Sequence, residues 1–246
     1  MDVTLLITDV TRMSGDRVCV AGVTEKGISV RPIFQYRHIA EGWLYDKGQV
    51  VIHPFSLVKF KLKKNRPDPP RTEDWLLDSD HKQKVNTLRS EERIMMLKGI
   101  SYPDIAEIFG AEIKHAPGSF IREGEGYRSL GTVEVIVTDF FYGYKYGKWD
   151  YRITFKDQSG TEYSLGVTDL SFRYYCDHLR ETEGFSPDRI AENLKKRLMS
   201  DATFLRIGLA RPTWDKHPHC CFLQITGVYT FPDYLNGRCF ADFKRP

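Results

Sequence analysis

Nothing in this 246-residue chain approaches the roughly 20 consecutive apolar residues that a membrane helix needs, so no membrane span is expected. The opening residues, MDVTLLITDVTR, lack the basic start and long apolar stretch of a secretory leader. Cysteine is scarce and odd in number: Cys19, Cys176, Cys220, Cys221 and Cys239, two of them adjacent. That set does not read as a disulfide framework, and free thiols in a reducing cytoplasm are expected. A strong excess of either charge is missing too. The net charge is +3, so any basic surface must come from local clustering. There is no phosphate-binding G-x-x-x-x-G-K-[ST], no G-x-S-x-G and no dinucleotide fingerprint. No catalytic residue, cofactor or metal ion is therefore assigned.

What is present is short, Val- and Ile-rich strand sequence and an aromatic share of 13%. LLITDV, RVCVAGV, GISVRPIF and QVVIHPFSLVKFKLKK predict N-terminal strands, several of them separated by the turn residues SGD, EKG and DKG. Three prolines in NRPDPPRTEDWLLD mark a connector. SEERIMMLKG predicts a helix capped by Ser90, and YPDIAEIFG a short one ending at Gly110. TVEVIVTDFFYGY, KWDYRITFKD and TEYSLGVTD predict a meander. TDLSFRYYCDHLRE, capped by Thr168 or Asp169, and SPDRIAENLKKRLMS, capped by Ser186 with Pro187 next, predict two helices. TFLRIGLARP and CFLQITGVYTF predict closing strands. Helices and strands do not alternate regularly, which argues against a doubly wound parallel sheet. A mainly β protein of two small barrels or sandwiches, joined by short helices, fits the order. The expected division is a first barrel over 1–75, a helical connector and loop over 76–130, and a second barrel with inserted helices over 131–246.

Five features carry candidate chemistry. FFYGYKYGKWDYRITF gathers Tyr142, Tyr144, Tyr146, Trp149 and Tyr151 with Lys145 and Lys148. Rings stack on bases and cations neutralise phosphates. In a strand Tyr142, Tyr144 and Tyr146 share one side, as do Trp149 and Tyr151; the competing reading makes one side barrel core and the rest a hairpin loop. KFKLKKNRPDPPR places six cations and one acid between Lys59 and Arg71. Lys59, Lys61 and Lys63 alternate with apolar residues, either as a phosphate-binding face or as lysines that block edge pairing. Arg31 and Arg211 each precede a proline at a strand end, with Trp214 just beyond the second. Each arginine could fork onto a phosphate or pair with a carboxylate. KHPHCC offers His217, His219, Cys220 and Cys221, but adjacent cysteines on a strand point to opposite faces and the spacing suits zinc poorly. Asp9, Asp139 and Asp169 follow threonine at strand ends, where turn or cap roles outweigh a carboxylate cluster for metal-dependent chemistry.

The opening strands with their Arg-Pro step (VRPIF), the Trp after a Pro-rich connector (PPRTEDWL) and the ending LRIGLARP…CFLQITGVYTFPDY resemble the bacterial dual OB-containing domain. The resemblance covers nearly the whole chain. It implies two OB-like barrels and a nucleic-acid-binding role, and brings no catalytic residues. The resulting expectation is a non-catalytic binder of single-stranded DNA or RNA, away from membranes, acting beside a partner enzyme. The alternatives are a metal-dependent nucleic-acid-processing enzyme using the strand-end aspartates, and a protein-interaction module using Trp and Tyr as anchors.

Overall fold

The computed structural model describes residues 1–212 and 217–244. Its first sheet is formed by β1 (Asp2–Arg12), β2 (Arg17–Val23), β3 (Ser29–Ile33), the short β4 (Ile39–Ala40), β7 (Ser56–Asn65) and β8 (Asp74–Thr87), with a small hairpin of β5 (Tyr45–Asp46) and β6 (Gln49–Val50) beside it. β1 pairs with both β2 and β7, β7 with β8, β8 in parallel with β3, and β3 with β2. Five strands thus close on themselves in the order first, second, third, fifth, fourth. Alternation does the filling: along β7, Val58, Phe60 and Leu62 point inward while Lys59, Lys61 and Lys63 point out.

The second sheet repeats that ring. It contains β9 (Ser101–Tyr102), β10 (Phe120–Arg122), β11 (Leu130–Lys145), β12 (Lys148–Lys156), β13 (Glu162–Gly166), β14 (Ala202–Leu209) and β15 (Cys220–Phe231). β11 pairs with β12 and β14, β12 with β13, and β14 with β15. A parallel bridge between Val167 and Ile225, with Thr168 N donating to Ile225 O at 2.8 Å, closes it. The strand order is the same, and again the third strand runs parallel to the fifth. This is a mainly β molecule of two OB-like barrels with a few short helices.

Helices fill the gaps that strands leave. α1 (Ser90–Gly99) and α2 (Ile105–Phe109) lie between the barrels in sequence; α3 (Leu170–Glu181) and α4 (Pro187–Ser200) lie between the third and fourth strands of the second barrel. Asp169 and Ser186 cap α3 and α4 through their side chains, and Asp104 caps α2. Ser90 does not cap α1. It is the first helical residue, and Glu92 instead turns back to accept from Arg89 N at 2.7 Å. Gly110 ends α2 at φ 64, in the left-handed region that a β-carbon disfavours. α4 buries Ile190, Leu194 and Leu198, one stripe at helical spacing, worth about 1.5–3 kcal/mol per side chain.

The sheet of the first barrel runs to Thr87, past the boundary expected at residue 75, so 76–87 is strand rather than helical connector. Its DSDHKQKVNT stretch has little strand preference of its own. β7 supplies the backbone partners, from Ser56↔Thr87 to Asn65↔Trp75, through three register shifts.

Candidate nucleic-acid interface

The aromatic stretch forms most of the β11–β12 hairpin. Its register, Phe141↔Arg152, Tyr142↔Tyr151, Gly143↔Asp150, Tyr144↔Trp149, fixes two faces. The face of Tyr142 and Tyr151 turns into the barrel, where each ring is 3% exposed. This corrects the expectation that these two tyrosines form a stacking surface. Their neighbours on that parity, Phe140, Ile153 and Phe155, are core, and burying the ring pair with them removes more apolar area from water. α3 closes that barrel end. Tyr151 Oη donates to Asp177 Oδ1 at 2.6 Å, Arg180 pairs with Asp177 at 2.8 Å, and Arg180 also donates to Tyr142 Oη. Burial, reinforced by Asp177, pushes the Tyr151 phenol well above its ordinary pKa. Trp149 is half-buried, stacked on Tyr142 at 5.0 Å between ring centroids, with the Arg180 guanidinium 3.9 Å from its own centroid.

The opposite face carries Phe141, Gly143, Lys145, Lys148, Arg152 and Lys156. The Phe141 ring lies along Gly143, where a β-carbon would come within 2.7 Å of it, and Lys145 Nζ sits 4.1 Å from the ring centroid. Phe141 was not singled out from the sequence, although the parity of Lys145 and, across the turn, of Lys148 and Arg152 marks its side as the outer one. At the tip, Lys145 and Lys148 pair across the two-residue loop Tyr146-Gly147. Both loop residues have positive φ, 51° and 77°, as in a type I′ turn. Tyr144 is 63% exposed and Tyr146 99% exposed.

The two Arg-Pro arginines converge on one carboxylate. Arg31 Nε donates to Asp74 Oδ1 at 2.5 Å, and Arg211 Nη2 to Asp74 Oδ2 at 2.9 Å. Arg31 is buried, with Ser129 Oγ at 3.2 Å and Glu73 at 3.7 Å, and the adjacent carboxylates hold its guanidinium charged. It is therefore unavailable to a phosphate, which corrects its place among the binding residues: its own barrel supplies the anion. Arg211 remains half-exposed beside it. Trp214 lies outside the described residues. Lys61 and Lys63 are exposed on β7, and Lys59 pairs with Asp2 at 3.2 Å. These lysines lie on the first barrel, on the strand that pairs with β1, whereas the aromatic hairpin belongs to the second.

The strand-end aspartates do three separate jobs. Asp9 is buried against Arg206 at 2.9 Å and accepts from Thr226 Oγ1 (2.5 Å) and Thr8 Oγ1 (2.7 Å). Asp169 accepts from the backbone N–H groups of Ser171, Phe172 and Val228, and burial pushes its carboxyl up to about 7. Asp139 is exposed and pairs with Lys195 at 2.8 Å. In the HPHCC segment Cys221 is buried beside Arg71, while exposed His219 faces Glu123 at 3.7 Å. Among the described residues no three His, Cys, Asp or Glu side chains come together to hold a metal ion.

The barrels differ in what they leave open. OB folds bind oligonucleotides and oligosaccharides on the face of their second and third strands and the loops after the first and fourth. In the first barrel the third strand and the loop between β7 and β8 are occupied by the second barrel: Arg31 meets Ser129, Arg71 meets Glu123 and Cys221, and Thr72 Oγ1 donates to Tyr127 O at 2.5 Å. In the second barrel the outward residues of β12 and β13, Lys148, Arg152, Lys156, Glu162 and Ser164, are exposed.

Tandem OB-like barrels with one such face open define the class of protein. The chain matches the family described as "Dual OB-containing domain" over residues 4–228 and belongs to it. OB folds are in general nucleic-acid-binding modules. No curated protein matches the chain. Among the described residues no helix is long and apolar enough to cross a membrane.

Proposed function

We propose that the protein binds single-stranded nucleic acid without catalysis, through the β11–β12 hairpin and the outer face of the second barrel that continues from it. The observation that carries this reading is Tyr146. A bulky ring stands almost fully in water at a turn position where Asn or Gly fits more cheaply. It makes no hydrogen bond or ring contact among the described residues, so packing does not account for it. Backbone cost held at a surface without a packing return marks a site of use. Tyr144, Lys145 and Lys148 flank it, giving rings for base stacking and cations for the backbone on the loop after a first OB strand. Phe141, Arg152 and Lys156 extend the track. The two exposed tyrosines favour unpaired bases, because a duplex keeps its base faces covered.

The test uses a fluorescently labelled single strand and the matching duplex, followed by anisotropy. Tyr146→Asn places a residue favoured by the turn at position 146, so the melting temperature should hold or rise. Affinity for the single strand should fall roughly tenfold or more, since one stacked ring contributes about 1–3 kcal/mol. Lys145→Ala should reduce the salt dependence by about 0.7 units for its one phosphate contact. If Tyr146→Asn binds as well as the parent, or the duplex binds as tightly as the single strand, the proposal fails.

A further inference from the structure

Two arginines where the barrels meet pair with no carboxylate among the described residues. Arg12 ends β1 and Arg173 lies near the start of α3; each is half-buried. The Arg12 guanidinium lies over the Tyr174 ring, 5.4 Å from its centroid, and the Arg173 guanidinium over the Tyr151 ring, 4.7 Å from its centroid. The acids nearby are already engaged: Asp177 by Tyr151 and Arg180, and Glu41 by Tyr174 Oη at 2.6 Å and Lys244 at 2.7 Å. Arg173 Nε is buried without a hydrogen-bond partner, so the chain supplies no acceptor for it. Its position adds a cost, because α3 has no acid in its first turn and a helix start disfavours a cation. A guanidinium lying over a ring uses its face there and leaves its terminal N–H donors free to fork onto an oxyanion.

An unbroken row links this pair to the hairpin. Arg173, Asp177 and Arg180 stand at i, i+4 and i+7 along α3, on one side of the helix. The Arg180 guanidinium covers Trp149 at 3.9 Å, and Trp149 meets exposed Tyr144 at 5.4 Å between centroids. At the other end Arg12 opens the exposed β1–β2 loop, the first barrel's counterpart of the Tyr146-Gly147 turn. The loop after a first strand is a ligand-binding loop in OB folds, and this row joins the two that the molecule has. We propose that Arg12 and Arg173 bind phosphates, and that a single strand held at the hairpin tip continues across α3 to the β1–β2 loop. Phe141, Arg152 and Lys156 carry the strand away from the tip in the other direction. The proposal rests on the tip being a binding site, and it makes the two barrels one continuous interface.

Anisotropy of the full chain with labelled single strands of about 16 and about 4 nucleotides, the two ends of the range of OB site sizes, tests it. The double variant Arg12→Met, Arg173→Met keeps an unbranched stem on each ring and removes both charges. For the long strand it should lower the salt slope by about 1.4 units, two contacts at about 0.7 each. It should also weaken binding about tenfold or more. The short strand, which the tip alone can hold, should bind the double variant as it binds the parent. Arg12→Lys with Arg173→Lys should keep the parent's slope, a rescue that a packing role alone would not give. Unchanged slope and affinity for the long strand, or an equal loss at both lengths, overturns the proposal. The two readings fail separately. A Tyr146→Asn variant that binds as the parent does removes the tip, on which this row depends; a weakened Tyr146→Asn beside a silent double variant removes this row alone.

Discussion

His53 shows how one side chain writes a pH dependence into the fold. Its Nδ1 lies 2.9 Å from Pro54 O and its Nε2 lies 2.9 Å from Lys84 Nζ. A neutral ring satisfies both contacts, with Nδ1–H donating to the carbonyl and Nε2 accepting from the ammonium. Burial first, then Lys84, lowers its pKa to about 4. The unfolded chain takes up the proton near 6.5 while the native state refuses it down to about 4. Stability is full above the unfolded value and is lost as pH falls between the two, by at most about 3 kcal/mol. Asp169 acts in the opposite sense, because its raised pKa makes the native state hold a proton that the unfolded chain has released. Comparison with His53→Gln cancels that contribution. Denaturant unfolding at pH 7 and pH 4.5 should show the parent losing more stability than the variant; parallel losses would contradict the assignment.

At the scale of elements, the β11–β12 hairpin shows what was legible in the sequence and what was not. Both strands, their turn and their shared parities could be read from FFYGYKYGKWDYRITF. Which parity faced inward was the open matter, since Phe140-Tyr142-Tyr144 and Phe141-Gly143-Lys145 both carry rings. The polar members Lys148, Asp150 and Arg152 on β12 held the answer, for they alternate with Trp149, Tyr151 and Ile153 and put those three inside. The Arg180 lid on Trp149 was beyond reach, because it depends on where α3 docks. β8 was missed for a similar reason: its strand character comes from β7 rather than from its own residues. The covering of Arg31 also needs the second barrel, 98 residues away at Ser129. Trp149 therefore acts as packing between Tyr142 and Arg180. Trp149→Ala should cost roughly 2–4 kcal/mol in denaturant unfolding and leave the salt slope of nucleic-acid binding unchanged. Loss of affinity with unchanged stability would instead return Trp149 to the binding surface.

For the whole molecule, the join between the barrels is a core in its own right. Phe55, Leu97, Phe204 and Tyr229 form an apolar cluster drawn from both halves, and Tyr229 Oη donates to Thr8 O at 2.6 Å. Leu170 at the start of α3 and Phe240 near the end of the chain pack into the first barrel. Asp9 and Arg206, each 1% exposed, form a charged pair across this join. A buried pair adds little net stability over an apolar pair, but removing one partner strands the other charge. Arg206→Met should leave Asp9 with only the Thr8 and Thr226 hydroxyls, at a cost of about 3–5 kcal/mol. Adding Asp9→Leu should restore much of that loss, because no uncompensated charge remains. The join also couples the halves, so tryptophan fluorescence and far-ultraviolet circular dichroism should report one shared unfolding transition in the parent. A single variant within about 1 kcal/mol of the parent would place the charge pair in contact with water. Two separated transitions would show barrels that unfold independently, and would contradict the coupling assigned to this join.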